Sequence, residues 1–257
     1  MLRFCANLDH MYGRIPLEAG LARAEADGFD AVEFISPYEE EPESVARMFR
    51  RHSIQAVLFN TASGNRSAGE RGFMILEGRE KDFVDSIQQA IRYATTLNCR
   101  RINVVAGVNA VREANEIVFA RLVERFSFAA EQYSRHGIVA LLENLNPVDI
   151  PGCWVDTPRR ALEVVKTVNL ENARMQYDIY HAQRTAGNLV EFLRDNIEWI
   201  GHVQIADNPG RHQPGTGEIA FPFILSELER LGYSGWVGLE YSPDPNAADP
   251  IFRPPNQ

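Results

Sequence analysis

The sequence is short of positive charge: 26 Lys and Arg residues stand against 35 Asp and Glu, a formal charge of −9. No basic patch offsets this balance. An acidic chain repels phosphate, so nucleic acid and anionic membranes are poor candidate partners. Cysteine is scarce as well, with 3 in the chain. Cys5, Cys99 and Cys153 form no C-x-x-C pair and are odd in number, which argues against both a disulfide framework and a structural zinc site and leaves buried thiols as the plain reading. Long apolar runs are missing. The longest uncharged one, INVVAGVNAV at 102–111, is too short to span a bilayer. The N-terminus, where Arg3 and Asp9 bracket a short apolar run, lacks the long apolar region and small-residue cleavage site of a signal peptide. A cytoplasmic protein is expected.

What is present is an ordinary globular composition, 45% hydrophobic, 24% charged and 10% aromatic over 257 residues. Eight short β-rich runs recur: LRFCANL from 2, AVEFI from 31, IQAVLFN from 54, RINVVAG from 101, IVALLEN from 138, ARMQYDI from 173, HVQIAD from 202 and WVGLEY from 236. Segments of helical period lie between them, such as Phe83, Ile87, Ala90, Ala94 and Leu97, then Val118, Leu122, Phe126, Ala129 and Tyr133, and later Leu189, Leu193, Ile197 and Ile200. Nearly continuous apolar strands alternating with amphipathic helices indicate parallel strands covered by helices. Eight such units in this length predict a closed (β/α)8 TIM barrel of the α/β class, with a doubly wound open sheet as the alternative. No linker or composition shift interrupts residues 1–257, which read as one domain. Two stretches are irregular: a long loop at 60–78, of a length that is usually functional, and a tail at 242–257, which would pack under the barrel or reach a neighbouring subunit of a homo-oligomer.

Acids embedded in the strands carry the chemistry, because an ionised group inside an apolar run is costly to bury alone. Glu143 ends VALLE, Asp178 follows MQY, Gln204 sits in HVQIA and Glu240 ends VGLE, so strands five to eight each offer one oxygen-bearing side chain near the carboxyl end. Active sites of such barrels form at that end. Three carboxylates and an amide converging on one point repel one another unless a cation lies between them, and all-oxygen ligands favour Mg²⁺ or Mn²⁺ over zinc. His181, three residues past Asp178, is placed to donate to a substrate oxygen. Glu33 ends VE in the second strand and is the most ambiguous acid, able either to stand behind the site's ligands or to be a plain salt-bridge partner, with the structural reading favoured. The GTGE segment at 215–218 lacks the strand-to-helix context and Lys of a phosphate loop, so no nucleotide site is expected.

At these residues the chain resembles the hydroxypyruvate isomerases of the sugar-isomerase-like TIM barrels, through LRFCANL, GFDAVEF, AGERGF, EGRE, QYDIYHAQR, GHVQIADNPGRHQPGTGEI and GWVGLEY. The resemblance covers nearly the whole chain and implies a barrel that interconverts hydroxypyruvate and tartronate semialdehyde. It further implies Glu143 and Glu240 as proton donor and acceptor, and Glu143, Asp178, Gln204 and Glu240 as metal positions. A similar group acts on 2-oxotetronate and resembles this chain through the NTA segment after the third strand. That group carries Trp after the AGE tripeptide where this chain has Arg71, which favours hydroxypyruvate.

The implied substrate is a small hydroxy-keto acid, and its carboxylate needs a cationic partner. Arg71, on the long loop and able to make two parallel hydrogen bonds, is the first choice, against a surface ion pair with Glu70 or Glu77. Closure of that loop would keep water from the reactive aldehyde. Two further classes use comparable barrels. A metal-dependent phosphodiesterase for damaged DNA would need more than the 6 histidines present and a less acidic surface. A non-catalytic sugar-binding barrel would need no paired glutamates.

Overall fold

The computed structural model describes residues 1–108, 113–247 and 251–252. Eight parallel strands close into a barrel in sequence order. They are β1 (Arg3–Asn7), β2 (Ala31–Phe34), β3 (Gln55–Asn60), β4 (Arg101–Asn103), β5 (Val139–Glu143), β6 (Ala173–Asp178), β7 (Ile200–Ile205) and β8 (Trp236–Leu239). Every β-rich run became a strand, so the closed barrel holds and the open sheet does not. The fourth run was read too long: β4 stops at Asn103, and the backbone N–H of Val105 then bonds the Thr61 hydroxyl (3.1 Å) instead of the sheet. Parts of INVVAGVNAV and of the C-terminal tail lie outside the described residues.

Nine helices are described: α1 (Leu8–Met11), α2 (Leu17–Ala26), α3 (Pro42–His52), α4 (Glu80–Leu97), α5 (Asn115–Ser134), α6 (Pro158–Val168), α7 (Ile179–Thr185), α8 (Leu189–Asn196) and α9 (Phe221–Arg230). None is long and apolar enough to cross a membrane. Their buried faces are those read from the period: Phe83, Ile87, Ala90 and Ala94 on α4, and Val118, Leu122, Phe126, Ala129 and Tyr133 on α5. The third stripe fails at its end, since Ile200 opens β7 and α8 stops at Asn196. All three thiols are free and buried, as expected.

Side chains alternate across each strand. On β5, Ala140 and Leu142 join the core beneath the helices, while Leu141 packs with Cys5, Ala31, Val57, Leu58 and Trp236 in a second cluster that fills the barrel interior. The inward set therefore runs Cys5 then Asn7 on β1, Leu141 then Glu143 on β5, and Trp236, Gly238, then Glu240 just past β8. Apolar residues occupy the lower interior and polar ones the carboxyl end. Gly238 leaves room for Glu33, since a Cβ there would stand 2.3 Å from Oε2 of Glu33, whose side chain lies across the barrel.

The long loop is only partly free. Its first half holds a short 3₁₀ turn, Arg66–Ala68, but Phe73, Met74 and Ile75 are buried. Arg125 on α5 donates to the carbonyl oxygens of Phe73, Met74 and Leu76 (2.9, 3.2 and 2.7 Å). Charged hydrogen bonds of this kind contribute about 1.5–3 kcal/mol each, so any closing motion belongs to the segment before Phe73.

Candidate active site

Two strand ends repeat one local device. Asn7 ends β1 and caps α1, its Oδ1 accepting from the His10 N–H (3.1 Å). Asp178 ends β6 and caps α7, its Oδ1 accepting from the His181 N–H (3.0 Å). A capping side chain satisfies an orphan donor of the first turn, and each cap fixes a histidine three residues on. Both imidazoles turn toward the barrel axis: His10 Nε2 lies 3.7 Å from Glu240 Oε1, and His181 Nε2 lies 3.5 Å from Asp178 Oδ2 and 4.0 Å from Glu143 Oε1.

The expected carboxylates meet here. Glu143, Asp178 and Glu240 act on one another electrostatically, and Glu143 is further held by a bond from Asn103 Nδ2 to its Oε2 (2.7 Å). Burial pushes the Glu143 carboxyl well above its ordinary range, and the charges of Glu240 and Asp178 add to this. Burial also raises Asp178, with Arg211 opposing. Glu240 is pushed up to about 7 by burial, again against the pull of Arg211. Asp178 exposes 2% of its side chain, while Glu143 and Glu240 expose 14% and 11%, so the two glutamates face the opening.

Arg211 is the residue that sequence reasoning missed. Its Nη2 donates to Glu240 Oε2 (2.7 Å) and Asp178 Oδ2 (3.3 Å), and its guanidinium lies 5.0 Å from the centre of the Tyr180 ring. The loop carrying it is built around Asp207, whose carboxylate accepts the backbone N–H groups of Asn208, Gly215, Gly217 and Ile219. At Gly217 a Cβ would sit 2.2 Å from the Asn208 carbonyl oxygen. GTGE is therefore a loop wrapped on an aspartate. Arg211 lies inside the most specific motif of the chain, but a loop arginine shows no periodicity that would single it out.

Gln204 lies deeper. Its Oε1 accepts from Gln176 Nε2 (2.7 Å) and its Nε2 donates to Glu33 Oε1 (2.7 Å). Glu33, fully buried, also takes bonds from His202 Nε2 (2.6 Å) and Asn7 Nδ2 (2.9 Å). Burial alone would raise its pKa, but His202 and these amides outweigh it and hold the carboxyl below its ordinary value. The structural reading of Glu33 fits this web. Arg71 sits apart from the carboxylates: its Nη1 donates to the carbonyl oxygens of Arg66 (3.1 Å) and Glu70 (2.8 Å), and it pairs with neither Glu70 nor Glu77.

Among the described residues two groups could hold a metal ion, their ligand atoms lying within 4.8 Å of one another: Glu143, Asp178 and His181, and Cys5, Glu33 and His202. The second is closed by the short His202 to Glu33 bond, and its thiol is held protonated by burial and by Glu33. The first suits a cation. It holds two carboxylates, Glu143 and Asp178, with Glu240 and Arg211 beside them; with all three acids ionised and the guanidinium charged, two negative charges are left over, which a divalent ion would balance.

A profile of the xylose isomerase-like TIM barrel family matches residues 21–253. The hydroxypyruvate isomerase of Escherichia coli (strain K12) is 39% identical over 243 residues, 95% of this chain and 94% of that protein. The 2-oxo-tetronate isomerase of Cupriavidus necator is 37% identical over 95% of this chain and 94% of its own length. A solved structure described as an AP endonuclease, family 2, from Brucella melitensis superposes with a TM-score of 0.91 at 38% identity, covering 95% of this chain and 94% of that one. The chain thus belongs to the xylose isomerase-like TIM barrel family, among relatives that bear the names hydroxypyruvate isomerase and 2-oxo-tetronate isomerase.

Proposed function

We propose that the chain is an aldose-ketose isomerase that interconverts hydroxypyruvate and tartronate semialdehyde by proton transfer through an ene-diolate. One observation carries the reading. Two partly exposed glutamates, Glu143 and Glu240, both have carboxyls raised above the ordinary range, yet only Glu240 is bonded to Arg211. Paired acids whose environments separate their proton affinities suit general acid and base roles. Glu240, the more readily ionised because Arg211 pairs with it, takes the proton from the hydroxyl-bearing carbon, Glu143 returns one to the neighbouring carbon, and the hydroxyl proton passes to the former carbonyl oxygen by way of solvent. The reverse reaction exchanges the roles. The His181 and Arg211 donors face the developing negative charge on the two substrate oxygens.

Glu143, Asp178, Gln204 and Glu240 would hold a divalent ion, Mg²⁺ or Mn²⁺. Gln204 keeps a second lone pair on Oε1 for this, since a carbonyl oxygen has two and Gln176 uses one. Such an ion would supply fixed positive charge that favours the ene-diolate over the keto acid. The substrate carboxylate falls to Arg71, whose bonds among the described residues use only Nη1, leaving Nε and Nη2 to meet an anion. Arg71→Ala should then raise KM with little change in kcat.

The test is turnover of hydroxypyruvate and of 2-oxotetronate in deuterated water, with and without Mg²⁺. Deuterium in the product of the three-carbon acid supports proton exchange at these glutamates, and Glu143→Gln or Glu240→Gln should lower kcat by about 10²–10⁴-fold. Retained substrate hydrogen in the product, or near-normal turnover by either variant, overturns the acid-base reading. Preference for the four-carbon acid would move the substrate to that of the Cupriavidus relative. The name of the Brucella structure raises a nuclease reading. The formal charge of −9 opposes it, and cleavage of abasic-site DNA in the same buffers would establish it.

A further inference from the structure

His181 belongs to the group that could hold a metal, yet the atoms around it give its ring a different part. Behind it lies Asn146, fully buried in the segment between β5 and α6. Asn146 Oδ1 accepts from the backbone N–H groups of Val148 (3.1 Å) and Asp149 (2.9 Å). Its Nδ2 reaches Asp149 Oδ2 (2.9 Å) and His181 Nδ1 (2.5 Å). Rotating the amide by half a turn would set its oxygen against the Asp149 carboxylate and its NH₂ against two N–H donors, so three independent partners fix its orientation. An amide nitrogen has only hydrogens to offer. His181 Nδ1 must therefore present a lone pair, and in a neutral imidazole the one ring proton then sits on Nε2. Nε2 is the atom that faces Asp178 and Glu143.

We infer that Asn146 is a positioning residue that locks His181 as the Nε2–H tautomer, making it a neutral hydrogen-bond donor to a substrate oxygen and excluding it from metal coordination. A metal ligand needs the lone pair that this tautomer turns away from the site. A fixed N–H aimed where negative charge develops needs no reorganisation during the reaction. The substrate half of the inference rests on the isomerase reading; the tautomer half does not.

Asn146→Asp, made in an Asp149→Asn background so that two carboxylates do not face each other at 2.9 Å, supplies the sharpest contrast, because a carboxylate can keep both backbone bonds and accept a proton from Nδ1. That variant should reverse the tautomer and bare the Nε2 lone pair. The experiment is ¹H–¹⁵N correlation spectroscopy of the metal-free full chain with labelled histidine, the His181 signals being identified by their loss in His181→Gln. In the unsubstituted protein, Nδ1 should give a bare-nitrogen signal and Nε2 a protonated one, both unchanged by Mg²⁺. With Asn146→Asp in that background the two should exchange, Zn²⁺ should bind more tightly, and kcat should fall about 10²-fold with KM nearly constant, as for loss of one donor to developing charge. A protonated Nδ1 in the unsubstituted protein overturns the inference, whatever happens to the variant. Loss of the Nε2 proton signal on adding Mg²⁺ overturns it equally. If the spectra agree but neither keto acid turns over, the tautomer stands and the isomerase reading falls.

Discussion

Replacing Glu240 with Gln should stabilise the metal-free protein at pH 8 while removing its activity. Burial raises the Glu240 carboxyl from 4.5 to about 7, so the folded state holds this proton more tightly than the unfolded chain does. The sign follows directly. Stability is greatest below the unfolded value, where both states are protonated, and is lost as pH climbs through the window from 4.5 to about 7. At about 1.4 kcal/mol per pKa unit, the full loss by pH 8 is about 3 kcal/mol, most of which accrues above pH 5. Gln imitates the protonated acid. It retains an oxygen for Arg211 but turns its NH₂ toward Asn7 Nδ2, which already donates to Glu240 Oε1 at 3.2 Å, a mismatch that costs about 1 kcal/mol. The variant should thus gain about 2 kcal/mol at pH 8 and little or nothing at pH 5, relative to the unsubstituted chain. His10 and His181, whose pKa values burial lowers, give an opposite pH trend. His181 is common to both proteins and cancels to first order in the difference, whereas removing the Glu240 charge lowers His10 further and relaxes Glu143, and both changes add to the variant's gain as pH rises. Denaturant titrations at pH 5, 6, 7 and 8 in the presence of a chelator measure it. Added Mg²⁺ should stabilise the unsubstituted chain more than the variant. A difference between the two proteins that stays flat with pH would refute the idea that the strain of a buried carboxylate resides at this residue.

Arg211→Lys keeps a positive charge but loses the planar fork that spans Glu240 and Asp178. Expected is a fall in kcat/KM of about 10²–10³-fold, together with an upward move of the acidic limb of the pH-rate profile as Glu240 loses its partner; an unmoved limb would detach Arg211 from Glu240. Gly238→Ala places a methyl group 2.3 Å from Glu33 Oε2, so that Glu33 must leave its bonds to His202 and Gln204. Thermal unfolding should register a loss of about 1–3 kcal/mol, with weakened Mg²⁺ binding as Gln204 shifts, and unchanged stability would show that the barrel interior has slack.

The fold was legible because parallel strands covered on both faces read as continuous apolar runs, and because α4 and α5 carry unbroken stripes from Phe83 to Ala94 and from Val118 to Tyr133. Legibility failed where one pattern runs into another. Ile200 continues the spacing of Leu189 and Leu193 yet belongs to β7, and Val105 looks like strand but has already left the sheet. The carboxylates of the site were readable for a related reason, since four oxygen-bearing side chains at the ends of consecutive strands are hard to explain structurally, although a single one, such as Glu33, is not. The same rule applied to amides would have found Asn7 and Asn103, which end β1 and β4 and hold Glu240 and Glu143. Arg211 and Asn146 were not readable, because each acts through a loop whose shape is set by distant partners: Asp207 in one case, and the Val148 and Asp149 backbone in the other.

Position at a strand end does not separate Glu33 from Glu240; their partners do. Asn7 touches both, donating through Nδ2 to Glu33 Oε1 and to Glu240 Oε1. Below that amide, Glu33 faces His202, Gln204 and the space left by Gly238, with none of its surface open. A carboxylate so fully bonded is held ionised and has no proton to exchange at neutral pH. Above the amide, Glu240 shares one guanidinium with Asp178, stands beside a glutamate that has none, and opens to the cavity. That uneven sharing leaves its proton weakly held near neutrality. The barrel interior therefore changes character within one strand step, from a saturated web that fixes geometry to an undercharged shell that gains from a cation. The proposed acid-base chemistry falls to the second, because there moving a proton costs least.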